Sequence, residues 1–311
     1  MPVNPPAAPT LSGDLLTIHR LLQSPTQIER RLRTLADMRF VADKILPQRF
    51  RSAGGAVLYE VSEPITTARS VQAVSPGSGY PYSPALDGAA ALAAVQNWGQ
   101  ATRLTDAAIK RRARGGDELD RVLRKVLNTV ITKIDTIAIA AVASAVTATI
   151  DADNFGGAWN GSTPNILRTL EAAKAAVVDL DMGYNPDTLL LSSEMYAIMV
   201  SDEKVNNLRR RETTDNPIYG GEIEMIDDLV VVKAPATRLP SADVWVLDSS
   251  QLGGMADETE LDPGYVVAEM GVQVQTERIA KADAWDVWGR RITIPVIQEP
   301  GAGVRIVDAK D

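Results

Sequence analysis

The sequence predicts an α+β protein whose first half extends outward and whose second half forms a compact body. Three observations support this class. From Asp117 to Ile150, apolar residues recur at every third and fourth position, which indicates one very long helix. After residue 160, helical and strand patterns alternate as they do around a central sheet. The chain then closes with two long strand-like runs, Val266 to Ile279 and Trp285 to Ile297, which should pair antiparallel.

Composition limits the class of protein before any motif does. Of the 311 residues, 45% are hydrophobic and 23% are charged, the balance of a globular protein with a sizeable core. No apolar run approaches the roughly 18 residues of a membrane span, and no secretory signal pattern is visible, so we expect a soluble protein made in the cytoplasm with no membrane partner. The absence of cysteine excludes disulfides, thiolate metal sites and cysteine nucleophiles.

Charge is distributed unevenly along the chain. Residues 1–52 hold eight basic and four acidic side chains, a local charge of +4. Because the net charge of the chain is −8, the remaining residues together carry −12. A basic arm on an acidic body can dock onto acidic surfaces of identical copies or lie against phosphate. A solvated amphipathic helix is the plainer alternative.

The N-terminal arm, residues 1–52, begins with a tail that has four prolines between Met1 and Leu11. Proline fixes φ and removes a backbone donor, so this tail should run extended and become ordered only where something holds it. Ser24 and Pro25 then fit the N-cap and first position of a short helix. The apolar stripe of that helix is narrow, which predicts docking onto a larger surface.

Residues 53–84 are predicted to form an extended loop. The segments Ala56–Val61 and Ala68–Val74 are rich in β-formers and flank Glu63-Pro64, which predicts a two-stranded hairpin. An isolated hairpin of this kind is marginal in water. We therefore expect the loop to lie on another subunit.

The elements of the body follow in order. Ala93 to Arg103 should form a strand, and Thr105 should cap a short helix. The long helix would span roughly 50 Å at 1.5 Å per residue, and its alanine-rich C-terminal half permits close approach of a sheet. Beyond it we expect helices from Thr163 to Leu180 and from Ser193 to Ser201, and strands at Thr188–Leu191, Glu222–Ile226, Leu229–Lys233 and Val244–Leu247.

Few residues in this sequence point to catalysis or metal binding. The only histidine, His19, has no second ligand nearby. Asp151, Asp153 and Gly156 match three positions of a calcium loop, but Phe155 and Ser162 occupy ligand positions, so a turn at a helix end is the better interpretation. The glycines of Gly77-Ser78-Gly79 lack the strand-to-helix context of a dinucleotide site. We predict no catalytic residues, no metal and no cofactor.

Two charged clusters remain. The acidic group Asp257, Glu258, Glu260 and Asp262 lies between glycines and prolines, where solvation is the default, although paired carboxylates would also suit a cytoplasmic α+β enzyme. The basic patch Arg209–Arg211 suits nucleic acid or a hinge or interface loop, and no stacking aromatics accompany it.

The order of these parts, together with Glu277-Arg278, Asp283 to Arg291 and Ile294 to Ile297, resembles the major capsid proteins of tailed bacteriophages. The resemblance is to the Hong Kong phage capsid fold, in forms known from phages of actinobacteria. Encapsulin shells share this fold. It implies an N-terminal arm (1–52), an extended loop (53–84), a peripheral domain with a long spine helix (85–159), an axial domain (160–262), and closing strands of the peripheral domain with a C-terminal tail (263–311).

The resemblance also implies a function. Copies of such a protein form hexamers and pentamers of an icosahedral shell around double-stranded DNA, assembled in the cytoplasm of the bacterial host and retained in the virion. Expected partners are the chain itself, DNA bound without sequence specificity, a portal, a separate scaffolding protein and decoration proteins. An encapsulin-like compartment around an enzyme cargo is the alternative shell.

This sequence departs from the resemblance in two ways. Some family members link a loop lysine to a neighbouring asparagine, but no lysine occurs between Lys44 and Lys110, so we predict a shell without such covalent bonds. Others begin with a cleaved scaffolding region of about a hundred residues, for which the arm leaves no room. We also expect Met1 or Pro2 to remain in the mature shell.

Candidate residues for subunit interfaces come from the charge split and from aromatic contact area. We expect the basic arm and the loop to pair with acidic groups of adjacent subunits. The candidates are Arg30, Arg31, Arg33, Tyr59, Glu60, Glu63, Arg69, Tyr80, Arg278, Arg290 and Arg291.

Overall fold

The computed structural model describes residues 40–52, 55–84, 86–111, 115–161, 164–212, 223–239, 242–258, 260, 262–267 and 272–310. The predictions for the proline-rich tail, His19, the short helix that begins at Ser24, and the interface candidates Arg30, Arg31 and Arg33 lie outside these residues.

Short elements precede one long helix in the first half of the described chain. In order they are α1 (Ala42–Ile45), β1 (Gln48–Ser52), β2 (Ala56–Val61), β3 (Ala89–Ala94), β4 (Gln96–Thr105), α2 (Asp106–Arg111), α3 (Gly115–Ala145) and β5 (Thr149–Asp151), followed by the 3₁₀ turn Ala152–Phe155.

The second half alternates helices and strands and then ends in strands. Its elements are α4 (Ile166–Val178), β6 (Thr188–Ser192), α5 (Ser193–Ser201), α6 (Glu203–Glu212), β7 (Met225–Ile226), β8 (Leu229–Ala234), β9 (Val244–Leu247), α7 (Ser249–Leu252), β10 (Gly253–Glu258), β11 (Val266–Val267), β12 (Val272–Ile279), β13 (Ala284–Ile297) and β14 (Gly303–Val307), with 3₁₀ turns at Ala280–Ala282 and Pro300–Ala302.

The first sheet is built around β13, its longest strand. Its order is β1-β10-β13-β12-β11, and β4 also pairs with β13. The partners β12, β4 and β10 are all antiparallel to β13. The predicted antiparallel pairing of the closing strands is therefore confirmed, although the first of them is divided into β11 and β12, which form a hairpin with each other.

The long helix α3, here called the spine helix, packs on this sheet. Its side chains Leu123, Ile131 and Ile134 are buried, and a Cβ atom on Gly289 would lie 3.2 Å from Val126, so glycine permits the close approach of helix and strand. With 31 residues the helix is about 46 Å long. It ends five residues before the predicted Ile150, because the following residues pair as β5 with β14.

One expectation about the spine helix was wrong. The segment Arg121–Ala145 is long and apolar enough, by length and composition, to cross a membrane, whereas no such run was expected from the sequence. Half of the segment is buried inside the chain, and it includes the fully buried Asp135. Its apolar face covers the sheet, which makes it a core helix of this fold.

The second sheet has the order β5-β14-β9-β6-β8-β7. All five residues of β6 are buried, as a central strand requires. It pairs parallel with β8 and antiparallel with β9. One apolar core runs from the spine helix through both sheets, so the two sheets belong to one packed body.

The hairpin predicted within the extended loop has a different partner strand. Residues 68–74 form no strand; instead β2 pairs antiparallel with β3, from Ala56 opposite Ala94 to Val61 opposite Ala89. Val71 is fully exposed, so that segment has no surface against which to bury an apolar face. The alanines of β3 give β2 a compact partner after 27 intervening residues.

Candidate assembly surfaces

The β2–β3 hairpin has one covered face and one open face. Val57, Tyr59 and Ala93 belong to a small apolar cluster that includes residues of the first sheet. On the opposite face Leu58 and Leu92 lie directly across from each other and are 72% and 69% exposed. This cross-strand leucine pair is available to another molecule, whereas the candidate Tyr59 lies on the covered face.

The base of the extended loop is fixed by backbone and side-chain contacts. Ser62 has a left-handed φ of 54°, and its N–H donates to the carbonyl oxygen of Gln298 at 2.9 Å. The N–H of Glu63 donates to Oε1 of Glu299 at 3.1 Å. The Tyr184 hydroxyl donates to Oε2 of the same carboxylate at 2.8 Å; burial, and then this bond to Glu299, raise the pKa of Tyr184. Glu299 thus joins the loop base to the second half of the chain.

Beyond its base, the loop is exposed. The guanidinium of Arg69 donates to the carbonyl oxygen of Tyr82 at 3.3 Å, a contact within the loop itself. Tyr80 and Tyr82 are 81% and 95% exposed, and the candidates Glu60 and Glu63 are exposed as well. Exposed aromatic rings of this size are uncommon on a free surface and suit an interface.

Arg278 is held at the rim of the first sheet. Its two terminal nitrogens donate to both oxygens of Asp106 at 2.7 and 2.6 Å, and its guanidinium lies 5.6 Å from the ring centre of Trp285. The hydrogen bonds to Asp106 raise the pKa of Arg278. This pair fixes the start of α2 against β12 and leaves the arginine partly exposed.

Arg291 is a core residue, which corrects its assignment as an interface candidate. Its side chain is 0% exposed and bonds Asp43 at 3.2 Å and Asp257 at 3.0 and 3.1 Å. Arg49 binds the same two carboxylates at 2.8 and 3.4 Å. Burial lowers the pKa of Arg291, but the two carboxylates outweigh it and the net direction is upward. The four charges join the start of the described chain to the first sheet.

Arg290 points to the other face and is held by a tight turn. In Asp262-Pro263-Gly264-Tyr265 the Tyr265 N–H closes onto the Asp262 carbonyl at 3.1 Å, and Gly264 has φ 88°, as a type II turn requires. Asp262 accepts a hydrogen bond from Arg290 at 2.6 Å, and the guanidinium lies 3.6 Å from the Tyr265 ring centre. Arg290 is only 9% exposed.

The acidic cluster is therefore not merely solvated. Asp257 and Asp262, two of its four members, bind Arg291 and Arg290. Their charges are neutralised by structural partners, so these two aspartates are not the free paired carboxylates that the enzyme alternative needed. The Asp-Pro-Gly-Tyr sequence is typical of a type II turn, and it was the signal that Asp262 belongs to an ordered turn.

A second buried ion pair joins the spine helix to its surroundings. Asp135 accepts from the Ala42 N–H at 2.9 Å and pairs with Arg238 at 2.5 Å. Burial raises the pKa of Asp135, while the bond from Ala42 and the charge of Arg238 act in the opposite direction. Sequence reasoning missed this residue because a lone aspartate within an apolar stripe carries no sign of its partner.

The remaining motifs have structural roles. Asp151 accepts from the Asp153 N–H at 2.9 Å and caps a 3₁₀ turn, in line with the predicted turn. Across the residues that the structure describes, no group of three His, Cys, Asp or Glu side chains is placed to hold a metal ion. Arg209–Arg211 fall within α6, which replaces the hinge or interface loop expected there.

Comparison with known families gives one match in sequence. The model of a family described as "Phage capsid protein" matches residues 88–306, which is well over half of the chain. No curated protein is similar to the chain in sequence.

Comparison of the fold gives several matches. A phage-related protein of Bordetella bronchiseptica has TM-score 0.56 and 15% identity, with 89% of this chain and 96% of that chain covered. A virus-like particle protein of Pyrococcus furiosus has TM-score 0.58 and 10% identity, with 90% and 98% covered. A protein of Microbacterium phage Oxtober96 has TM-score 0.55 and 12% identity, with 86% and 90% covered. At these identities the likeness concerns the fold.

Proposed function

This chain belongs to the phage capsid protein family, and from that premise we propose that it is the major shell subunit of a tailed phage. Copies form hexamers and pentamers of an icosahedral shell, which encloses double-stranded DNA in the virion. The family match over residues 88–306 is the observation that carries this proposal. The protein's role is assembly, and it needs neither cofactor nor catalytic group.

The fold supports a division of labour along the chain. Residues 85–159 and 263–311 supply most of the peripheral domain, in which the spine helix packs on the first sheet, and residues 160–262 supply most of the axial domain around the second sheet. The exceptions are β10, which belongs to the first sheet, and β5 and β14, which belong to the second. The arm (1–52), whose residues 40–52 pack in the core of their own subunit, and the extended loop (53–84) connect neighbouring subunits. The open leucine pair of the hairpin and the exposed loop tyrosines support this role, because both need a partner to become buried.

The interface candidates fall into two groups. Glu60, Glu63, Arg69 and Tyr80 are exposed in the loop or at its base, and we propose that they meet a neighbouring copy. Tyr59, Arg278 and Arg290 act less directly, since each also contacts its own subunit. The arm residues Arg30, Arg31 and Arg33 remain proposed partners of acidic surfaces.

Charge reversal at Arg69 tests the loop interface. Arg69→Glu should lower shell yield and shell stability, because it places a negative charge in a contact with an acidic body of the same protein. Arg69→Lys is the matched control: it keeps the charge while weakening the contact with the Tyr82 carbonyl. Particle yield after size separation is the measurement, and equal yields for wild type and Arg69→Glu would count against this interface.

The partners of the shell follow from its charge and from its relatives. With a net charge of −8 the subunit should bind packaged DNA weakly and without sequence specificity. The phage G structure contains decoration proteins beside its major capsid proteins, which supports a decoration partner here. A portal and a separate scaffolding protein complete the proposed assembly.

A compartment shell around an enzyme cargo is the second candidate, because the fold also matches the virus-like particle of Pyrococcus furiosus. Images of purified particles separate the two: a large DNA-filled head supports a phage shell, and a small protein-filled shell supports a compartment. In both cases the contacts should be non-covalent, since residues 45–109 contain no lysine. A ladder of covalent multimers on a denaturing gel would contradict this.

A further inference from the structure

A pocket of about 280 Å³ opens beside the turn that holds Arg290. It is lined by two strands of the first sheet and by that turn. The lining residues are Asn97, Gly99, Gln100, Ala101, Tyr265, Trp288, Gly289 and Arg290.

The pocket lies on the side of the first sheet that faces away from the spine helix. The Cβ position of Gly289 points toward Val126 of that helix. Side chains alternate along a strand, so Trp288 and Arg290 point to the opposite side. Gly99 lies across from Arg290 on β4, and a Cβ atom there would come within 2.7 Å of the Arg290 Cβ. Glycine at this position keeps the pocket open.

The walls of the pocket are fixed by their own contacts. The Arg290 side chain is 10% exposed, its Nε donates to Oε1 of Gln273 at 2.8 Å, and one terminal nitrogen donates to Asp262 at 2.6 Å. The Tyr265 ring lies against the guanidinium at 3.6 Å. A ligand would therefore meet a prearranged site, which lowers the ordering cost of binding.

The pocket also offers unused hydrogen-bond donors. Within the described part of the chain, the Trp288 indole N–H, the Tyr265 hydroxyl and Nη1 of Arg290 have no hydrogen-bond partner. None of the three is a buried unsatisfied atom, so each can be reached from outside. Two aromatic side chains and three free donors suit a ligand that has an apolar surface and many carbonyl oxygens as hydrogen-bond acceptors.

We propose that this pocket binds the proline-rich N-terminal tract of the chain, residues 2–9. Pro2 and Pro5, and likewise Pro6 and Pro9, are spaced by three residues, which is one turn of a polyproline II helix. Such a helix makes no internal hydrogen bonds, and its carbonyls accept from aromatic and indole donors in grooves of this kind. The tract has the composition that the pocket requires.

The tract can also reach the pocket. Residues 10–39 separate it from Phe40, and a chain of that length spans at most roughly 100 Å when fully extended, and less where the predicted short helix forms. Phe40 lies 5.1 Å from the guanidinium of Arg291, on the opposite face of the first sheet from the pocket, so the link must pass around an edge of that sheet. The tract can therefore occupy the pocket of its own subunit or that of an adjacent copy. Docking between copies rests on the proposed shell function and would add one contact to the shell. Docking within one subunit does not depend on that function.

The absence of cysteine allows a cross-linking test in the full-length chain without background reaction. In Ala7→Cys/Ala101→Cys one thiol lies in the tract and the other at the pocket, and a short bifunctional thiol reagent should join them. In the control Ala7→Cys/Ala143→Cys the second thiol lies on the exposed side of the spine helix. We expect a several-fold higher cross-link yield for the pocket pair, and equal yields would overturn the proposal.

Two further measurements keep the result specific. Trp288→Phe, which keeps the aromatic ring but removes the indole donor, should lower the pocket yield toward the control. An excess of free peptide 1–11 should also lower it, whereas the same peptide with its prolines changed to alanine should not; equal competition by both peptides would contradict polyproline recognition. Mass analysis distinguishes docking within a subunit from docking between copies, and both support the site. If the pocket pair does not cross-link above the control but the same protein still forms particles, the docking of the tract is refuted and the proposed shell function stands.

Discussion

At the residue scale, Arg290 and Arg291 show how one strand supports two faces. They are adjacent on β13, so their side chains point to opposite sides of the first sheet. Arg291 enters the core and binds Asp43 and Asp257. Arg290 lies beside the pocket and binds Asp262. Residue type alone suggested the same interface role for both, whereas the strand assigns one to the core and the other to a surface site.

The buried charge network should be sensitive to the loss of its central arginine. Arg291→Met removes the buried partner of Asp43 and Asp257 and leaves them only the half-exposed Arg49; breaking a buried pair in this way costs up to about 3–5 kcal/mol in the free energy of unfolding. Chemical denaturation of the isolated subunit measures the loss.

Arg69→Met is the control for this change, because Arg69 is exposed and lies outside the network. Its free energy of unfolding should change by no more than about 0.5 kcal/mol. Equal effects of the two substitutions would show that Arg291 is not held as described.

Asp286 should contribute to the acid sensitivity of the subunit. Its hydrogen bonds from Arg103, at 2.7 and 2.8 Å, lower its pKa in the folded state. A carboxylate whose folded pKa is depressed stabilises the protein above its unfolded pKa of about 3.9, and that contribution is lost as the pH falls through the folded value. Asp286→Asn should therefore reduce stability at pH 7 and flatten its decline at acid pH. An unchanged profile between pH 7 and pH 2 would contradict the pairing.

At the scale of elements, the β2–β3 hairpin divides its two faces between the subunit and its partners. The face with Val57 and Ala93 packs on the first sheet, and the face with Leu58 and Leu92 is open. An exposed apolar pair contributes to stability only when another molecule buries it away from water. The hairpin is thus both part of the subunit's fold and part of its proposed contact surface.

Removing one leucine of this pair should impair assembly and not folding. Leu58→Gln exposes no new cavity, so the free energy of unfolding should stay within about 0.5 kcal/mol of wild type, while shell yield falls. Val178→Gln is the matched control, because Val178 is 53% exposed on α4, away from the hairpin. If both variants assemble as well as wild type, the leucine pair is not a contact.

The elements predicted correctly are those with a strong local pattern. The spine helix and the closing strands have long apolar repeats, and the fully buried β6 reads as a short apolar run. The β2–β3 pairing was missed because its two strands are far apart in sequence and the alanines of β3 have no strand preference. Likewise β10 begins with Gly253-Gly254, where a Cβ atom on Gly254 would clash with the Gln48 carbonyl oxygen. Glycine is required there by the close approach of the neighbouring strand, since glycine itself has no preference for strands.

At the scale of the whole molecule, one continuous core joins the two sheets and the spine helix. The extended loop leaves this body at Ser62 and Glu63, which are fixed to Gln298 and Glu299. A rigid body with a firmly based, exposed loop is suited to repeated contacts between copies. The resemblance noted in the sequence therefore agrees with the architecture and with the family match.

The candidate interface was less predictable than the fold. One sequence shows which side chains are charged or aromatic, but the partners of Arg278 and Arg291 within the subunit depend on tertiary contacts across 172 and 248 positions of the chain. The loop residues Arg69 and Tyr80 stay predictions as contacts, but their exposure could be predicted, because the surrounding prolines and glycines indicated an exposed segment.

The assembly state of the purified full-length protein tests the central claim most directly. Expressed alone or with its scaffolding partner, and separated by size before electron microscopy, the chain should form closed icosahedral particles with hexamers and pentamers of one subunit. A monomer or small oligomer under every condition, with the chain absent from phage particles, would contradict the claim that it is a shell subunit.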